Sequence, residues 1–151
     1  MQDDQLGIEF HPMTRIEVKQ YLNWFTDPVI SARMFRPTET WVGYVLDGER
    51  PLAWVAYVGN AMVGHIQVEY YPEDVCSIAL AVDPSLKRQG LGAKVLTKFV
   101  REYLSSLRVE AFIEADNVAS RKTFEKAGFR QTTSAPDEDG MLKYVFPGAS
   151  Q

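Results

Sequence analysis

The residues best suited to chemistry lie together in Val82-Asp83-Pro84-Ser85-Leu86-Lys87-Arg88-Gln89-Gly90-Leu91-Gly92-Ala93. An apolar strand pattern stops at a proline, a short polar loop follows, and two glycines stand where a long helical pattern opens. Glycine lets a backbone approach a ligand closely, and the first turn of a helix carries N–H groups without partners inside the helix. With the positive end of the helix dipole, those groups suit an anion such as a pyrophosphate. Lys87 and Arg88 add charge at the same place. Two other phosphate loops do not fit. The dinucleotide fingerprint needs a third glycine where Val95 stands, and no Gly-Lys-Ser/Thr follows at the Walker spacing. A plain strand-to-helix turn would use the same glycines.

A second segment runs from Asn117 through Ser120 and Phe124 to Gly128-Phe129. Asparagine is a good helix N-cap and glycine a natural left-handed stop, so a capped helix accounts for both ends.

These loops need elements to hold them. Residues 7–13 read as a short strand, and Thr14 stands three residues before Glu17, a capping-box signature for a helix over 15–25. Asp27-Pro28 marks a second, short helix to about Met34, while 36–49 fit no single state. Strands follow at 52–58 and 62–71, with a tight turn at Gly59-Asn60. In the second of them, Met62, Ile66, Val68 and Tyr70 point one way and His65, Gln67 and Glu69 the other. After Pro72-Glu73-Asp74 comes a strand over 75–82, apolar on both faces apart from Ser77, which predicts a central strand covered on both sides.

From Gly90 a helical stripe runs through Leu91, Val95, Leu96, Phe99, Val100, Tyr103, Leu104 and Leu107. A strand at 109–115, a helix over 117–127 and strands at 129–135 and 141–146 complete the chain, the last two joined around Asp139-Gly140. A hairpin followed by strand–helix–strand implies a mixed sheet with a crossover, hence an α/β or α+β class with an antiparallel front half.

Composition narrows the function. At 151 residues the chain fits one domain, with 147–151 as a loose tail. Sixteen Lys+Arg against twenty Asp+Glu give a net charge of −4, which disfavours nucleic acid and suits a cationic substrate. One cysteine, Cys76, and two histidines, His11 and His65, argue against a disulfide or a zinc site. Cys76 itself, in an apolar strand, reads as a small buried hydrophobe. No apolar run approaches the roughly 20 residues that span a bilayer, and the acidic start lacks a secretory layout. The expectation is a cytoplasmic, metal-free protein that does not bind membranes.

At Lys87-Arg88-Gln89-Gly90-Leu91-Gly92 the chain resembles the GCN5-related N-acetyltransferase family, whose loop runs Arg or Gln, two variable residues, Gly, one variable residue, then Gly or Ala. The stretch Asn117–Phe129 is similar to that family's second segment, and the likeness covers 62–146, with element order agreeing back to residue 7. It implies a mixed, mostly antiparallel sheet of about six or seven strands, about four flanking helices and a splayed parallel strand pair. It also implies acetyl-CoA as co-substrate. By that resemblance the backbone of Ala81 and Val82 pairs with the pantetheine arm, and Lys87 stands at the loop's first position. Amides of Arg88, Gln89, Gly90, Leu91, Gly92 and Ala93 then hold the pyrophosphate, and Asn117 and Ser120 touch the far side.

Two positions depart from the pattern. Lys87 replaces Arg or Gln, keeping the charge without the planar fork. Phe124 stands where many relatives place a tyrosine thought to protonate the departing thiolate, and phenylalanine has no proton to give. Tyr144 or Tyr57 are substitutes, with water and backbone dipoles as the other route. For the base, Glu69 and Glu114 lead, with Glu73 and Asp74 behind them and a water chain as the alternative. Asp137-Glu138-Asp139 reads as a solvated turn that could also draw in a cation.

The function expected is acetyl transfer to a primary amine of a small cationic acceptor, aminoglycoside- or polyamine-like, with room for a homodimer. A protein or peptide N-terminal acetyltransferase and a non-catalytic acyl-CoA-binding module are the alternatives.

Overall fold

The computed structural model describes residues 7–86 and 90–147. Seven strands form one mixed sheet in the order β1-β2-β3-β4-β5-β7-β6. They are β1 (Ile8–Pro12), β2 (Ala53–Val58), β3 (Ala61–Tyr71), β4 (Val75–Val82), β5 (Arg108–Glu114), β6 (Arg130–Gln131) and β7 (Met141–Phe146). Five α-helices accompany them: α1 (Arg15–Asn23), α2 (Pro28–Arg33), α3 (Glu39–Leu46), α4 (Leu91–Tyr103) and α5 (Val118–Lys126). Short 3-10 turns occupy Trp24–Thr26 and Pro84–Leu86. The described residues fall into two compact units, one within 1–67 and 80–89 and the other within 68–79 and 90–151.

In the first unit, β1 pairs antiparallel with β2, and β2 with β3. Local chemistry sets the helix starts. The Glu17 carboxylate reaches back to the Thr14 amide at 2.7 Å, and Asp27 Oδ2 accepts from the amides of Val29 and Ile30 with Pro28 in the first turn. The ambiguous stretch 36–49 contains α3. Thr38 Oγ1 caps it by accepting from Trp41 N at 3.1 Å, and Val42 and Val45 are buried. Gly43 and two β-branched valines weaken its intrinsic helicity, so burial and the cap make this helix.

One side-chain direction differs from the expectation. The β2–β3 register runs Ala56↔Gly64 and then Tyr57↔Met62, so β3 carries an extra residue there. This bulge turns Met62 onto the face of His65 and Gln67, where it joins a buried cluster with Tyr21, Val55 and Ala81.

In the second unit, β4 and β5 pair in parallel at Val75↔Arg108, Cys76↔Val109 and Ser77↔Glu110. Their recorded pairing stops there although both strands continue, which is the splayed parallel pair. β5 pairs antiparallel with β7, and β7 with β6. Covering of β4 on both sides does not run its whole length: on one face Val75 and Ser77 are half-buried, Ala79 is exposed and Ala81 is buried, while Cys76 and Ile78 on the other are buried. Small or weakly polar residues on an uncovered face are indistinguishable in sequence from a buried one.

The α4 stripe is buried from Leu91 to Val100, with Leu104 beyond the helix end, but Tyr103, the last helical residue, is 44% exposed. The strand expected over 129–135 shrinks to Arg130–Gln131. Beyond it, Lys143 N donates to Thr133 Oγ1 at 3.0 Å, so a side chain takes over a backbone role. Asp137 Oδ1 accepts from the amides of Asp139 and Met141, each at 2.9 Å, which ties the acidic run into the turn before β7.

Candidate functional site

The longest helix, α4, begins differently from the others. Its N-cap is Gly90 with φ 71° and ψ 9°, and no side chain caps it. Glu17, Asp27, Thr38 and Asn117 each satisfy amides at the starts of α1, α2, α3 and α5. The first intrahelical bond of α4, from Lys94 N to Gly90 O, is long at 3.4 Å. Amides of Leu91, Gly92 and Ala93 therefore precede the helix's own bonding pattern, and among the described residues no side chain receives them.

A cation stands beside this positive helix end. A β-carbon built on Gly90 would lie 3.6 Å from Lys126 Nζ, at the C-terminus of α5. An ammonium and a helix N-terminus repel each other and share only one kind of partner, an anion. Nothing local in the sequence marks Lys126, since a lysine in the last turn of a helix is accounted for by its own helix dipole. Lys87, Arg88 and Gln89 lie outside the described residues.

Asn117 Oδ1 accepts from Ser120 N at 3.2 Å, so the asparagine amide oxygen serves as the α5 cap and both residues sit half-buried on one helical turn. In the other unit, Ala81 is buried and Val82 half-buried at the end of β4. The next amide, Asp83 N, donates to Val63 O at 2.9 Å.

The helix α5 ends in paired bonds, Phe129 N to Phe124 O and Gly128 N to Glu125 O, with Gly128 at φ 100°. This pattern calls for an apolar contact across the cap, and Phe124 supplies it by packing edge-to-face on Phe129 at 5.1 Å. Phe124 is thus a core residue, 4% exposed.

The groups considered for proton transfer are dispersed. Glu69 is half-buried on β3, and Glu114 is half-buried at the end of β5 in register with Met141. Tyr144 is fully buried; its hydroxyl accepts from Arg121 Nε at 3.0 Å and donates to Glu125 Oε2 at 2.8 Å. Burial first, and Glu125 after it, push that hydroxyl above its ordinary range. Arg121 also donates to Ala115 O, so the network links α5, β7 and the loop between β5 and α5. The Tyr57 hydroxyl donates to Glu17 Oε2 at 2.8 Å.

Residues 13–129 match the acetyltransferase (GNAT) family. The chain belongs to that family. It is 30% identical over 140 residues to the uncharacterized N-acetyltransferase YfmK of Bacillus subtilis (strain 168), covering 90% of this chain and 94% of that one. Among solved structures, it superposes on aminoglycoside acetyltransferase AAC(6')-Ib in complex with coenzyme A and kanamycin. There the TM-score is 0.76 at 19% identity, with 95% of each chain covered. The ribosomal-protein-S18-alanine N-acetyltransferase of Escherichia coli gives a TM-score of 0.65 at 21% identity, over 91% of this chain and 90% of that one. Likeness at these identities is a likeness of fold. Within this GNAT chain, α4 opens on a glycine N-cap that offers its amides no side chain.

Proposed function

We propose that this chain transfers acetyl from acetyl-CoA to a primary amine of a small cationic acceptor, by direct attack in a ternary complex. One observation carries the reading: among the described residues no side chain caps the amides that open α4, whose N-cap is a glycine, and Lys126 stands beside them. The amides of Leu91, Gly92 and Ala93 would hold the pyrophosphate, and Lys126 would neutralise its charge. Lys87, Arg88 and Gln89 belong to the same loop by sequence. The backbone of Ala81 and Val82 would pair with the pantetheine arm as an added strand. Asn117 and Ser120 would border the far side.

The acceptor reacts as a free amine, so its proton must leave before or during attack. Glu69 and Glu114 are the carboxylates proposed for this, directly or through water. Tyr144 enters the proposal differently: its hydroxyl proton is engaged by Glu125, so it holds α5 to β7. The net charge of −4 supports a cationic acceptor, and one solved fold neighbour holds coenzyme A together with kanamycin.

Calorimetry with acetyl-CoA, followed by thiol release with aminoglycosides, polyamines, amino acids and short peptides, tests the proposal. Binding with turnover on the small polyamines or aminoglycosides is expected. Turnover on peptides alone would make it an N-terminal acetyltransferase. Binding without turnover would make it an acyl-CoA-binding module, and absence of binding would remove the reading.

A further inference from the structure

Tyr21 of α1 and His65 of β3 form a flat stack, ring centroids 3.9 Å apart and planes 7° apart. Both are 2% exposed. Trp41 leans over the pair, 6.2 Å from Tyr21 and 5.7 Å from His65, with its indole N–H given to Gln67 Oε1 at 3.2 Å. Trp24 and Phe25 meet Tyr21 edge-on at 5.6 and 5.2 Å. Four other rings thus pack against the phenol ring.

Among the described residues the Tyr21 hydroxyl has no hydrogen-bond partner, and His65 Nε2 is enclosed without one. An enclosed histidine nitrogen without a partner, stacked on a phenol whose hydroxyl bonds to no described residue, calls for a functional explanation. Other phenols are occupied: Tyr57 by Glu17, Tyr144 by Arg121 and Glu125. Tyr21 shares its buried cluster with Ala81, at the strand end assigned above to the acyl-bearing arm.

We propose that the Tyr21 hydroxyl, held in place by His65, donates a hydrogen bond to the thioester carbonyl oxygen of acetyl-CoA, resting on the acetyl-CoA reading given above. In the reaction the amine nitrogen forms a bond to the carbonyl carbon, and the carbonyl π electrons move to the oxygen that Tyr21 faces. Collapse breaks the carbon–sulfur bond, the sulfur leaves with its electron pair, and the proton lost by the amine ends on that sulfur. Tyr21 keeps its own proton throughout: burial raises its pKa, which favours a neutral donor over a proton-transferring acid. His65 is a positioning residue, neutral because burial holds it down to about 3.

The test needs no acceptor. Acetyl-CoA labelled with carbon-13 at the carbonyl is bound to the full chain and its isotope-edited infrared band recorded. The expected band lies below that of the same thioester in an apolar solvent, and Tyr21→Phe, which keeps the ring and the stack, moves it back upward in the acetyl-CoA-saturated, folded protein. His65→Ala, which removes the stack, broadens the band. A band that Tyr21→Phe leaves in place would assign the carbonyl to backbone amides and overturn the proposal. So would a wild-type band at the apolar-solvent position, which needs no variant to fold. Loss of acetyl-CoA binding by the wild type is a separate outcome: it removes the cofactor reading, and this one with it.

Discussion

Lys126 Nζ lies 3.6 Å from where a β-carbon on Gly90 would sit, so the end of α5 delivers a positive charge to the uncapped start of α4. Each feature alone has an ordinary explanation; together they leave an electrostatic deficit that an anion removes. Lys126→Met should weaken acetyl-CoA about tenfold at low salt, the size of one charge-assisted hydrogen bond. The difference should shrink as salt rises. Calorimetry at two ionic strengths checks this, and equal affinities would detach Lys126 from the phosphates.

The two loop glycines should not respond alike. Gly90 has φ 71°, so any side chain there strains the backbone. Gly90→Ala should cost about 1–2 kcal/mol of stability. Gly92 is in the first turn of α4, where Gly92→Asp would place a carboxylate among the amides proposed for the pyrophosphate. Its effect should fall on acetyl-CoA affinity more than on the denaturant midpoint. A folded Gly92→Asp protein with wild-type affinity would contradict the loop assignment.

Much of this was readable in the residues. Thr14 with Glu17, Asp27-Pro28, Asn117 and Gly128 announce their caps because capping is local chemistry, settled within a few positions. What could not be read depends on distant partners. The helix α3 hides behind Gly43 and two valines, since its stability comes from burial. Met62 points opposite to the simple alternation because a bulge against β2 is invisible in β3 alone. Lys126 meets Gly90 across 36 positions of chain, a pairing no local pattern encodes.

Phe124 closes the α5 cap on Phe129 and is 4% exposed. Phe124→Ala should therefore lower stability by about 3–5 kcal/mol, the range for emptying a buried phenylalanine site. Acetyl-CoA affinity per folded molecule should hold. A large loss of rate at an unchanged melting temperature would give Phe124 a direct role in the reaction.

Between β3 and β4, Glu73 and Asp74 both have positive φ, 67° and 61°. Two successive left-handed residues are the centre of a hairpin turn that favours Asn-Gly. Replacing both, Glu73→Asn with Asp74→Gly, should stabilise the protein by about 1 kcal/mol through relief of backbone strain. A rise in urea midpoint at constant slope is the expected result. No rise would mean that the charged side chains offset the strain through bonds of their own.

His65 gives the protein a sensitivity to acid. Burial lowers its pKa from 6.5 to about 3, so in that interval the unfolded chain binds a proton that the folded chain refuses. Unfolding then takes up protons, and stability falls as pH falls from 6.5 toward 3, approaching about 1.4 kcal/mol per pH unit. Above that interval His65 is neutral in both states and contributes no slope. His65→Phe keeps the stack on Tyr21 and lacks the titration. Carboxylates add the same acid dependence to both proteins, so the difference between their unfolding free energies isolates the histidine. That difference should be level above pH 7 and should shift in favour of the variant by more than 1 kcal/mol between pH 6 and pH 4.5. Parallel curves across this range would show that the imidazole takes its proton while the protein stays folded.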